Sequence, residues 1–121
     1  MNVKSETRGY YAGVAVDAIK LESLQAFGTP EFVGGRVVGV ENKKDGVLAA
    51  SLLGAGSEGP YYDIEYTNES THGNNHYKSR IAVQNGKLFV FTVQCKQGDY
   101  ETLADEMVTI LNSFALKAYP T

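Results

Sequence analysis

Cysteine is nearly absent: Cys95 is the only one in 121 residues, so no disulfide can form within the chain. Tryptophan is missing, and there are only three prolines and two histidines. No apolar run approaches the roughly 18 residues that a membrane-crossing helix needs. The opening string MNVKSETRGYY has no apolar stretch before Tyr10 and does not read as a signal peptide. Positive charge is scarce too. Eleven Lys and Arg stand against 14 Asp and Glu, giving a net charge of −3 and a pI near 5.3. A nucleic-acid binder needs a basic stripe to neutralise phosphates. The lone basic doublet, Lys43-Lys44, reads instead as a solvated helix end. The phosphate-cradling string G-x-x-x-x-G-K-[ST] does not occur, and Gly54, Gly56 and Gly59 read as a flexible loop.

What is present is ordinary globular composition, 43% hydrophobic and 21% charged, in a chain long enough for one core. Residues 1–121 therefore read as a single domain, with residues 1–8 frayed. Alternation over 9–20 predicts a strand, and LESLQAF (21–27) a short helical turn. Thr29 as cap and Pro30 at the first helical position predict a helix over 30–44. Gly34 and Gly35 weaken it and point to a close approach to a sheet. Four strands follow, at 47–54, 60–68, 76–84 and 87–95. Asn85-Gly86 marks a tight hairpin between the last two. Leu88 and Val90 face one way in the last strand, and Phe89, Phe91, Val93 and Cys95 the other. Both its faces are apolar, so the strand is central and covered on both sides. Leu103, Met107, Ile110, Leu111 and Phe114 form the apolar stripe of a terminal helix. The fold class is α+β, an α/β/α sandwich around an antiparallel meander sheet.

These elements carry specific strings. LESLQAFGTPEFVGGRVV, YYDIEY, GNNHYKSRIAVQNGKLFVFTVQC and MVTILNSFAL, in that order and spacing, resemble the PsbP family. These are the photosystem II extrinsic proteins and their PsbP-like and PsbP-domain relatives of the thylakoid lumen, with the Mog1/PsbP-like fold. The resemblance spans about residues 12–118. It implies an extrinsic, non-enzymatic protein of the chloroplast thylakoid lumen. Such a protein supports photosystem II, its oxygen-evolving complex or another photosynthetic complex. It implies no resident cofactor, and calcium, zinc or manganese only by family likeness. The family's N-terminal hairpin and targeting segment are missing from this reading. A sheet edge is thereby expected to be open, and a homodimer to close it.

Chemistry has few candidates. His72 and His76 flank Gly73-Asn74-Asn75, which reads as a turn, with His76 opening a strand. Glu65 or Glu69 on the preceding strand could join them around a metal, but zinc needs three or four fixed ligands. The structural reading of the histidines is preferred. No nucleophile elbow or oxyanion hole accompanies Ser70, Thr71 or Ser79. Cys95 reads as a buried small hydrophobe, against a reactive thiol beside Lys96. Tyr62, Ile64 and Tyr66 read as a core face, and Tyr61, Asp63 and Glu65 as a solvated one. Two alternatives to the accessory reading stand: a small enzyme or ligand-binding domain with a tyrosine-lined pocket, and a Mog1-type small-GTPase-binding protein.

Overall fold

Thr29 caps the first helix as its chemistry dictates: its hydroxyl accepts the Phe32 N–H at 3.2 Å, and Pro30 follows where no N–H is needed. The computed structural model describes residues 2–5, 10–18 and 23–114. In chain order these are β1 (Asn2–Ser5), β2 (Tyr10–Ala18), α1 (Pro30–Asn42), β3 (Val47–Glu58), β4 (Tyr61–Ser70), β5 (Gly73–Gln84), β6 (Lys87–Lys96) and α2 (Tyr100–Ser113). Short 3-10 turns occupy Leu24–Ala26 and Gln97–Asp99. The strands form one antiparallel sheet in the order β1-β2-β6-β5-β4-β3. At the β5–β6 hairpin, Asn85 and Gly86 both take positive φ (54° and 72°), as the twist of a two-residue turn requires.

Each face of the sheet has its own core. On one, Leu103, Met107 and Leu111 of α2 pack on Ala12, Val93 and Cys95. On the other, α1 and Leu24 cover Tyr62, Ile64, Tyr66, Tyr77 and Ile81. The α/β/α sandwich follows, with β6 third in the sheet and apolar on both faces.

Gly34 is where α1 meets the sheet. A Cβ there would lie 2.9 Å from Leu52 Cδ1, whereas one on Gly35 meets nothing within 4 Å. Gly34→Val is expected to lower stability by about 1–3 kcal/mol through overpacking. Gly35→Ala should be neutral or raise stability by up to about 1 kcal/mol through helix propensity. Denaturant midpoints check the pair, and equal shifts would contradict this packing.

Several expectations are corrected. Residues 2–5, expected to be frayed, form β1 and pair with β2 from Tyr10 to Gly13; residues 1 and 6–8 lie outside the described residues. The β2 edge expected to be open is therefore occupied along that stretch, and the described residues lend no support to a dimer built on it. Gly54 and Gly56 lie inside β3 rather than in a loop. That strand is the opposite sheet edge, and its register slips at Leu48 and Leu53. Bulges of this kind twist an edge away from flat pairing. The turn after β4 falls at Thr71-His72, so Gly73, Asn74 and Asn75 are already in β5, opposite Ser70, Glu69 and Asn68.

Candidate functional site

The β4–β5 register decides which polar residues meet. Asp63 stands opposite Arg80, Glu65 opposite Lys78 and Thr67 opposite His76. Alternate residues share a face, so Asp63, Glu65, His76, Lys78 and Arg80 all lie on the side covered by α2. The sequence reading took the Asp63 and Glu65 face as solvated. It is instead the polar half of an interlayer contact.

Glu65 is the hub of one end. His76 Nε2 lies 2.5 Å from Glu65 Oε2, the Tyr100 hydroxyl donates to the same oxygen at 3.0 Å, and Lys78 Nζ stands 3.4 Å away. His76 is almost wholly buried and stacks on Tyr100, with ring centroids 3.5 Å apart and planes 10° from parallel. Its Nδ1 lies 3.1 Å from Gln97 Oε1. The Gln97 carboxamide can turn either its oxygen or its NH2 to the ring, so Nδ1 has a partner whether it donates or accepts. Burial alone would raise the Glu65 carboxyl. The His76 hydrogen bond, the Lys78 charge and the Tyr100 hydroxyl outweigh it and hold the group below its ordinary value of 4.5.

That depression carries a sign. A carboxylate lowered by folding contributes stability that is full above its unfolded pKa and is lost as pH falls through the folded one. Glu65→Gln is therefore expected to flatten the acid limb of the stability curve below about pH 4.5. Melting temperatures from pH 2 to 7 check it, and an acid limb unchanged in the variant would show that Glu65 is not coupled to folding.

Arg80 anchors the other end. Its Nε and Nη2 donate to Asp63 Oδ1 and Oδ2 at 2.8 and 2.9 Å, a two-pronged pairing. Nη2 also donates to Asn112 Oδ1 at 3.0 Å and reaches Glu58 at 3.3 Å, and the guanidinium lies 4.9 Å from the Tyr61 ring centroid. α2 is thus fastened by polar contacts near both termini, Tyr100 and Asn112, with its apolar stripe between. The opposite face holds a second network. Asn68 Nδ2 donates to buried Glu41 at 2.8 Å and to the Tyr77 hydroxyl at 3.0 Å, and Tyr77 stacks on Tyr66 with centroids 4.7 Å apart. Burial, with the Glu41 charge adding to it, pushes the Tyr66 phenol up to about 12, so it stays neutral.

The predicted site residues separate. The structure joins His76 to Glu65 and leaves His72 exposed in the turn, where its carbonyl accepts from Lys96 Nζ at 3.2 Å. Glu69 is exposed opposite Asn74. Among the described residues no group of three or more His, Cys, Asp or Glu is placed to hold a metal. Zinc is expected to leave the melting temperature unchanged, since a ligand of the native state must raise it. A saturable rise abolished by His76→Ala would contradict that. Cys95 is buried, and burial, helped by the charge of Asp99, pushes its thiol up and away from reactivity. Tyr62, Tyr66 and Tyr77 are core residues, and of the three only Tyr66 reaches the wall of a cavity, on the α1 side of the sheet. Among the described residues no buried side-chain nitrogen or oxygen lacks a partner. The polar cluster works as a fastener: its groups are spent on one another.

Sequence reasoning passed over Arg80, Gln97, Tyr100 and Glu41. A signal for Arg80 was available. Acids at 61–66 and bases at 76–80 alternate with the same period, and hairpin pairing sets one against the other.

The family model described as PsbP matches residues 8–116. The PsbP domain-containing protein 2, chloroplastic, of Arabidopsis thaliana is 29% identical over 86 residues, 67% of this chain and 37% of that protein. CyanoP of Thermosynechococcus vestitus is 28% identical over 105 residues, 78% of this chain and 57% of the relative. The chain thus spans between a third and three fifths of the length of these curated relatives. The solution structure of cyanobacterial PsbP (CyanoP) from Synechocystis sp. PCC 6803 superposes with a TM-score of 0.75 at 20% identity, covering 97% of this chain and 81% of that one. The crystal structure of PA94 from Pseudomonas aeruginosa, a protein of unknown function titled a putative regulator, gives 0.60 at 7% identity over 98% and 82%. These two likenesses show the fold alone.

Proposed function

This chain belongs to the PsbP family, and on that premise we propose that it is a non-enzymatic accessory protein of photosystem II or another photosynthetic complex. It docks on the lumenal face of that complex, in the chloroplast thylakoid lumen, and supports its assembly, stability or activity. The observation that carries this reading is the family match over residues 8–116, nearly the whole described chain. The site geometry supports the non-enzymatic part. The ionisable groups beneath α2 pair with one another and tie helix to sheet, an arrangement that serves rigidity rather than turnover. No helix among the described residues is long and apolar enough to cross a membrane, which suits attachment to a complex from outside it.

The experiment is a pull-down from detergent-solubilised thylakoids with the tagged full-length protein. Subunits of a photosynthetic complex are expected to be enriched over a charge-matched control protein. Equal recovery with both baits would count against the reading.

A further inference from the structure

α1 does not roof the whole of its sheet face. It lies over β3 and β4; on the neighbouring strands Tyr77 and Ile81 are buried, while Val83, Leu88 and Val90 are only partly covered. A cavity of about 400 Å³, open on one side, remains there. Its wall is mainly carbon: Leu24, Val33 and Val37 on the helical side, Ile81, Leu88 and Val90 on the sheet. Four charged residues also line it, Asp17, Arg36, Glu41 and Lys44. Two are acids and two are bases, and Lys44 Nζ pairs with Glu41 at 3.0 Å. Arg36 lies 6.0 Å from the Phe32 ring centroid.

We propose that this cavity binds a small, uncharged, largely hydrocarbon molecule. Water lying against the carbon wall finds few hydrogen-bond partners there, so an apolar body displaces it favourably. At about 400 Å³ the cavity falls within the usual range for small-molecule sites, large enough for two fused rings or a short branched chain. The lining charges cancel formally, so a charged headgroup meets no net opposite charge. A neutral body gains the burial of its own apolar surface and that of the wall. The proposal stands on the cavity and is independent of the accessory role above.

The test uses two probes sharing a naphthylamine core, neutral N-phenyl-1-naphthylamine and anionic 1-anilinonaphthalene-8-sulfonate. The neutral probe is expected to bind the 121-residue chain saturably at one site, and the anion about tenfold more weakly or worse. Methyl resonances of Val33, Val37, Leu88 and Val90 are expected to shift with the neutral probe, and those of Leu53 and Val108 to stay still. Val37→Phe and Leu88→Phe fill the space from opposite walls. Each is expected to weaken the neutral probe about tenfold while melting stays cooperative, and Val108→Phe on α2 is expected to change nothing. Should either filling variant fail to fold, the methyl shifts of the unmodified protein decide. No saturation, shifts centred elsewhere, or an anion bound as tightly as the neutral probe would each overturn the proposal.

Discussion

Replacing Arg80 by leucine is expected to lower folding stability by about 3 kcal/mol. Arg80 is only 4% exposed and donates to Asp63, Glu58 and Asn112 at once. Removing it strands the Asp63 carboxylate under α2 with no positive partner, and an uncompensated charge in a covered layer is the costly part. Asp63 keeps 29% of its side-chain surface, so water offsets some of that cost, and the lower end of the range for broken buried pairs applies. Glu58, mostly exposed, adds little. The double variant Arg80→Leu/Asp63→Leu removes the stranded charge and should recover part of the loss. A double-mutant cycle by urea unfolding reads the coupling directly. Additive single effects would show that the pair is a surface ornament rather than a clamp.

Met107→Ala is expected to cost about 2–5 kcal/mol. Met107 has no exposed surface and sits between Leu103 and Leu111 over Val93 and Cys95. Truncation leaves a cavity that neighbours on a rigid sheet cannot collapse to fill. Ile110 shares the same stripe in sequence, but it is only half-buried at the margin of that core, and Ile110→Ala should cost clearly less. Thermal or urea unfolding of the two variants ranks them. Equal losses would mean that the helix is rolled differently about its axis.

The apolar stripe of α2 was legible because a helix repeats its face every three or four residues. The two-sided burial of β6 was legible because alternation shows both faces at once. The Asn85-Gly86 hairpin was legible because only certain residues tolerate positive φ. Turn placement at HGNNHY was not. Gly and Asn suit turns, yet pairing with Asn68 and Glu69 carried the strand back through Gly73 and left Thr71-His72 to turn. Long-range register, invisible in a local window, decided it. The polar cluster was missed for the same reason. Glu65 meets Tyr100 across 35 positions and Arg80 meets Asn112 across 32. Those distances close only when α2 is laid on the sheet. The strand at Asn2–Ser5 was overlooked because its polar residues carry no apolar alternation; as an edge strand, it is held by backbone pairing with β2.

The proposed function makes this PsbP-family chain a docking protein of a photosynthetic complex. It is tested most directly by a binding isotherm of the purified protein against isolated photosystem II, with photosystem I as the parallel sample in the same detergent. The account predicts saturable binding to at least one of the two, with one site per complex, retained on substituting His76→Gln, since the His76 side chain is buried between α2 and the sheet. Flat isotherms for both complexes, from protein that melts cooperatively, would contradict it.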